Sequence, residues 1–246
     1  MSWLDANSPT GFVHYGASHL VALALAAVLI IGLYLSRHAF THGRAQSILR
    51  YSILSILMLC EATLNIWYVL EGVYDVKDTL PLELCTLSLY LSVLMLLLRS
   101  HWLAHLVYFT GIAGALMALL TPALFYDFPH YRFIEFFAAH TAIILAALYM
   151  VWVEEYRPTL KSIGMSMLYL NVLLVVIGSV NAMLGSNYMF ISGKPDTTSL
   201  LDVLGPYPWY LLSLEGIALI LFLLLQLPFV LAGRSKRNKQ TLHLPQ

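Results

Sequence analysis

The chain has 246 residues, 60% of them hydrophobic and 11% charged, with a mean hydropathy of +0.78. Soluble domains carry roughly 25% charged residues, so water is not its main solvent. Thirteen Lys and Arg balance thirteen Asp and Glu, which excludes a charge argument for nucleic acid and leaves membrane lipids as the partner that composition implies.

A helix crossing a bilayer core needs about twenty mostly apolar residues, and seven windows qualify. The stretch from Met1 to Ser18 carries no Lys or Arg, so the first window, His19 to Leu35, lacks a signal peptide's basic region and is expected to be retained. After the turn Thr41-His42-Gly43, the second window, Ile48 to Leu70, carries Cys60, Glu61 and Asn65. Asp78-Thr79-Leu80-Pro81 leads into the third, Leu82 to Leu98, which holds Cys85; Asp78 or Thr79 is expected to cap it, with Pro81 in its first turn. The fourth is Leu103 to Thr121. Asp127-Phe128-Pro129 precedes the fifth, Phe133 to Val153, with His140. The sixth, Ile163 to Leu184, holds Asn171 and Asn181, and the seventh, Tyr207 to Leu231, holds Glu215. These windows describe one all-α transmembrane domain over 1–246, ending in a basic tail from 232 to 246, with no internal repeat and no room for a soluble domain.

Basic residues set orientation, because Lys and Arg resist translocation. Arg37, Arg44, Arg50, Arg99, Arg157, Lys161, Arg234, Lys236, Arg237 and Lys239 fall on one side, against Lys77, Arg132 and Lys194 on the other. The N-terminus is therefore expected outside and the C-terminus in the cytoplasm.

Polar side chains inside a bilayer are costly unless paired or facing a cavity. At about 1.5 Å per residue, Cys85 and Asn181 lie roughly 5 Å below the outer ends of their helices, Asn65 roughly 8 Å, His140 roughly 11 Å, Glu215 roughly 12 Å and Glu61 roughly 14 Å. All belong to the outer half, as a polar pocket open towards the outer leaflet would require. The inner half offers little besides Asn171 and His105. The long outer segment from Gly185 to Pro206, including Asn187, is expected to roof this pocket.

A lone membrane cysteine is usually a packing residue, whereas a helix N-terminus and a nearby histidine lower a thiol's pKa and make a nucleophile. Cys85 is placed for the second role. His140 has no acidic residue one turn away, so its partner must come from another helix, either as a bridging hydrogen bond or as the orienter of a base. Glu215 has the matching depth, although Glu215 and Glu61 serve equally well as interhelical ties. Asn65 and Asn181 have the chemistry of oxyanion donors. His101 and His105 share a helical face but have no acidic or cysteine ligand at their depth, and no spacing places His14, His19 and His130 together, so no metal is expected. The seventh window lacks a lysine, which excludes a rhodopsin-type Schiff base there. Covalent chemistry by a cysteine and a histidine needs no diffusible cofactor. The rival reading is a transporter or small-molecule binding protein with an outward-open cavity, whose polar groups would continue to the inner face.

The blocks Leu80-Pro81-Leu82-Glu83-Leu84-Cys85, His140 in its aromatic run, Gly185-Ser186-Asn187-Tyr188-Met189-Phe190 with Lys194-Pro195, and Leu201-Asp202-Val203-Leu204-Gly205-Pro206-Tyr207-Pro208-Trp209-Tyr210 together resemble the YwaF family of bacterial membrane proteins, which is related to eukaryotic transmembrane protein 164. Two positions depart from the pattern: Glu83 stands where a histidine is common, and Thr86 where an acidic residue is common. The resemblance implies a lipid acyltransferase of the bacterial cytoplasmic membrane, or an acyl hydrolase if water is the acceptor. It carries the catalytic roles over to Cys85 and His140, with a phospholipid or lysophospholipid as substrate.

Overall fold

The computed structural model describes residues 3–8, 10–194 and 203–241, with side chains described as far as Ala232. Seven apolar helices follow one another: α1 (Ala17–Ser36), α2 (Gly43–Leu70), α3 (Leu84–Leu98), α4 (His101–Leu120), α5 (Tyr131–Trp152), α6 (Leu160–Leu184) and α7 (Trp209–Thr241). All but α3 have the length and apolar composition of membrane spans, and no strand occurs among the described residues. The architecture is the expected all-helical, polytopic one. Residues 195–202 of the outer segment and 242–246 of the tail lie outside the described residues; up to Thr241 the tail continues α7.

The centre of the bundle is α5, which packs against α1, α2, α3 and α4. Its buried face carries Ala139, Ala142, Ala146 and Ala147, and small side chains let membrane helices approach closely where lipid gives no hydrophobic drive between them. About two thirds of α5 and 61% of α4 are buried, against 22% or less of the other long spans, so α4 and α5 form the core. α6 and α7 attach to it through α4. Leucines and valines on α1, α6 and α7, such as Leu25, Val175 and Leu223, face outward, as lipid contact demands.

Two helices depart from the sequence expectation. α3 begins at Leu84, with Glu83 as N-cap and no side-chain cap. Asp78 and Thr79 do not cap it, because a separate turn holds them: Asp78 N–H and Thr79 N–H both donate to Asp75 O, and Thr79 Oγ1 also donates there at 2.6 Å. Fifteen residues span about 22 Å, short of a core of about 30 Å. Arg99, at the far end of α3, pairs with Glu154 at 3.7 Å; a helix of this length that starts at one surface of such a core ends about 8 Å short of the other. The second departure is a π-helical turn at Val107–Gly111 in the middle of α4, a distortion frequent at functional sites.

Candidate functional site

Cys85 is the second residue of α3. Among the described residues the N–H groups of Leu84, Cys85 and Thr86 have no acceptor, as expected for a first helical turn. Cys85 Sγ faces α4 at Gly114, where a methyl group would lie 3.6 Å from the sulfur. One turn inward, a methyl at Gly111 would meet Ile143 of α5 at 3.2 Å and Ser88 of α3 at 3.9 Å. Gly111 therefore marks a level at which α3, α4 and α5 converge. Ser88, Gly111 and Ile143 each lie three residues inward of Cys85, Gly114 and His140, so these last three occupy the next level outward.

His140 is 9% exposed, and its Nδ1 lies 2.7 Å from the backbone oxygen of Phe136. A carbonyl only accepts, so Nδ1 carries the proton and Nε2 of the neutral ring keeps its lone pair. The Phe136 ring lies 4.2 Å from the imidazole, centroid to centroid, and holds its plane. No hydrogen bond joins Sγ to the imidazole; the two groups share a level without touching.

The roof of this level comes from the loop after α6. Tyr188 Oη donates to Val76 O at 2.8 Å and accepts from Leu80 N–H at 2.9 Å, which ties the loop to the turns before α3. Met189 N–H donates to Glu83 Oε2 at 3.1 Å, and Tyr210 Oη donates to Phe190 O. Met189 and Phe190 both have positive φ, 57° and 51°, a conformation uncommon for such side chains that these bonds hold in place. The outer segment thus clasps the start of α3 through residues 185–190.

Four of the other expected pocket residues are held by bonds of their own. Asn65 Nδ2 donates to both the backbone oxygen and Oε1 of Glu61, each at 2.9 Å, so its amide is engaged on its own helix. Glu61 Oε1 also accepts from Tyr90 Oη at 2.5 Å, making Glu61 a tie between α2 and α3. Asn181 accepts from Ser186 Oγ and Tyr188 N–H and donates to Tyr188 O; it organises the roof. Asn187 likewise closes the turn to Gly193. Glu215 stands on α7, whose main contacts are with α6 and α4, so it does not orient His140; Phe136 O does that.

Three further histidines contact backbone oxygens. His14 Nε2 contacts Pro122 O, His19 Nε2 contacts Leu119 O, and His130 Nε2 contacts Asp5 O. His105 Nδ1 sits between Tyr156 Oη and Ser162 Oγ. Among the described residues no three His, Cys, Asp or Glu cluster for a metal.

Two features escaped sequence reasoning. Ser88 Oγ is buried without a hydrogen-bond partner, one turn inward of Cys85; its only sequence signal is the i, i+3 spacing. Glu135 is buried and paired with Arg132 between Trp67 and Cys60. As an acid inside the fifth apolar window it was visible from the start.

Glu83, the N-cap of α3, is the acidic neighbour of Cys85. A carboxylate there opposes a thiolate at Cys85. Glu83→Gln removes that charge, so Cys85 of the variant should alkylate several-fold faster than that of the wild type at the same pH. Iodoacetamide labelling of Cys85 followed by peptide mass spectrometry measures this, and equal rates in the two proteins would deny the coupling.

The family model of the TMEM164 family matches residues 14–226. No curated protein and no solved structure matches the chain.

Proposed function

We propose that this chain, which belongs to the TMEM164 family, is a membrane-embedded lipid acyltransferase with Cys85 as nucleophile and His140 as base. The observation that carries this reading is the shared level of the two: a cysteine in the open first turn of a shortened helix, and a histidine whose Nδ1 is held by Phe136 O so that Nε2 is the basic nitrogen. His140 Nε2 takes the Sγ proton, and the thiolate attacks the ester carbonyl of a phospholipid. The carbon–oxygen bond breaks, the departing lysolipid oxygen receives the proton from His140, and a thioester remains on Cys85. In the second half, His140 Nε2 removes the proton of an acceptor hydroxyl, whose oxygen attacks the thioester; the carbon–sulfur bond breaks and the thiolate regains its proton. A lysophospholipid acceptor makes the protein a transferase, and water makes it a hydrolase.

The first-turn N–H groups of Cys85 and Thr86 are the oxyanion donors, in place of Asn65 and Asn181, whose amides are engaged elsewhere. Catalytic hydrogen bonds in unliganded sites are often long and tighten with substrate, which accounts for the unbonded Sγ and imidazole. With the basic end of the bundle in the cytoplasm of a bacterial cell and that end of α3 at the membrane surface, the reactive level falls in the outer leaflet, about 8 Å in, near the depth of glycerol ester carbonyls.

The transporter reading needs polar groups running through the bundle. Inward of Gly111, Leu57, Met95, Val107 and Phe109 are fully buried, and the buried hydroxyls of Ser92, Thr110 and Ser166 are spent on backbone oxygens. A reconstituted sample given phospholipid with a radiolabelled acyl chain and unlabelled lysophospholipid should move label between them. Gly114→Ala should fold, since its methyl meets Sγ at an ordinary 3.6 Å. The methyl should nevertheless crowd the tetrahedral centre and slow transfer by about tenfold or more. Transfer at the wild-type rate in Gly114→Ala would mean that the chemistry occurs elsewhere.

A further inference from the structure

A hydroxyl on a membrane helix commonly spends its proton on a carbonyl of the preceding turn. Ser92 Oγ donates to Ser88 O at 2.7 Å, Thr110 Oγ1 to Leu106 O at 2.9 Å and Ser179 Oγ to Val175 O at 2.8 Å. Ser88 Oγ makes no such bond. The residue is 1% exposed, and its hydroxyl has no hydrogen-bond partner among the described residues. A buried hydroxyl left unpaired costs free energy, which a partner formed only during the reaction would recover.

The surroundings of Ser88 narrow the choice of partner. Across the helix interface stand Gly111 of α4 and Ile143 of α5: a methyl at Gly111 would lie 3.9 Å from Ser88 Cβ and 3.2 Å from Ile143 Cγ2, and neither side chain can bond to a hydroxyl. Along α3, Cys85 is three residues nearer the N-terminus, so the two side chains share a face, with Cβ atoms about 5–6 Å apart. Helical side chains lean towards the N-terminus of their helix, which tips Ser88 Oγ towards the level of Cys85. A thiol is a weak acceptor and leaves the hydroxyl where it is. A thiolate is a strong one, because the hydrogen bond is then charge-assisted.

We infer that Ser88 Oγ donates a hydrogen bond to Cys85 Sγ when the sulfur is a thiolate, and so governs how readily the nucleophile forms. The inference rests on Cys85 being the nucleophile of the proposed acyl transfer. As the Sγ proton passes to His140 Nε2, the Ser88 hydroxyl turns about its Cα–Cβ bond and donates to the sulfur while keeping its own proton. The bond lapses once the sulfur is part of the thioester, and it forms again when the acceptor expels the thiolate, so both halves of the reaction gain from it. The first-turn N–H groups remain for the carbonyl oxygen.

The test reads the thiolate without lipid turnover. The full chain in phosphatidylcholine nanodiscs is treated with iodoacetamide at one pH, and alkylation of the Cys85 peptide is followed by mass spectrometry. Loss of one charge-assisted bond should lower the thiolate fraction of Ser88→Ala by about 10- to 100-fold, and the higher nucleophilicity of an unpaired thiolate should offset about half of that on a logarithmic scale. Ser88→Ala should therefore alkylate about three- to tenfold more slowly than the wild type. It should melt no lower, since alanine removes an unpaired buried hydroxyl. Ser92→Ala, whose hydroxyl is spent on Ser88 O, should alkylate at the wild-type rate. Wild-type alkylation in Ser88→Ala would overturn the inference, and equal slowing in Ser88→Ala and Ser92→Ala would overturn it in favour of packing along α3. Absence of acyl transfer by the wild type is a separate result: it would remove the proposed activity, while the alkylation rates would still decide whether Ser88 serves the thiolate.

Discussion

Replacement of Cys85 by alanine is expected to abolish acyl transfer, lowering the rate by about 10³-fold or more, because the neighbouring hydroxyls of Thr86 and Ser88 are far weaker nucleophiles than a thiolate. The Cys60→Ala variant is the control that gives this loss its meaning. Cys60 is buried on α2 beside Glu61 and Glu135, away from the first turn of α3, and packs as a small apolar residue. Its loss should cost some stability and leave transfer intact. Full transfer by Cys85→Ala would leave direct attack by the acceptor, with His140 as base, as the surviving enzymatic route.

His140→Ala should fail differently. The ring acts twice, forming the thiolate and then activating the acceptor, so acylation should slow by about 10² to 10⁴, and whatever thioester forms should also decay more slowly. His140→Gln separates chemistry from packing, since glutamine can donate to Phe136 O as the imidazole does at 2.7 Å but offers no base. Single-turnover measurement of both halves distinguishes the outcomes. If His140→Gln keeps wild-type rates in both, the histidine is a packing residue.

Much of the fold was legible in composition and periodicity. Apolar windows long enough to span a bilayer can do little else, and α5 was read as Phe133 to Val153 against an observed Tyr131–Trp152. The start of α3 was misjudged because Pro81 and Asp78 resemble a helix entry, while Thr79 and Asp75 close a turn of their own. The π turn in α4 carries no proline to announce it; within it the Thr110 hydroxyl bonds back to Leu106 O and Gly111 lies against Ile143 of α5 and Ser88 of α3.

Within the candidate site, residue types gave Cys85 and His140 but not their surroundings. Depth alone grouped Asn65, Asn181, Glu61 and Glu215 with them. Depth says nothing about which way a side chain turns around its helix, and Glu61 bonds to both Asn65 and Tyr90. The orienting group of His140 is a main-chain carbonyl, which no side-chain inventory can reveal. Gly114 became informative only once Cys85 Sγ was found against it.

The central claim is that an acyl chain passes through Cys85, and the most direct measurement is an acyl thioester at that position. Purified protein incubated with phospholipid carrying a radiolabelled acyl chain, then digested, should yield a hydroxylamine-labile label on the peptide containing Cys85. That label should be discharged by added lysophospholipid and absent from Cys85→Ala. Continued turnover with no label on that peptide at any time, or label on the Cys60 peptide instead, would contradict the account.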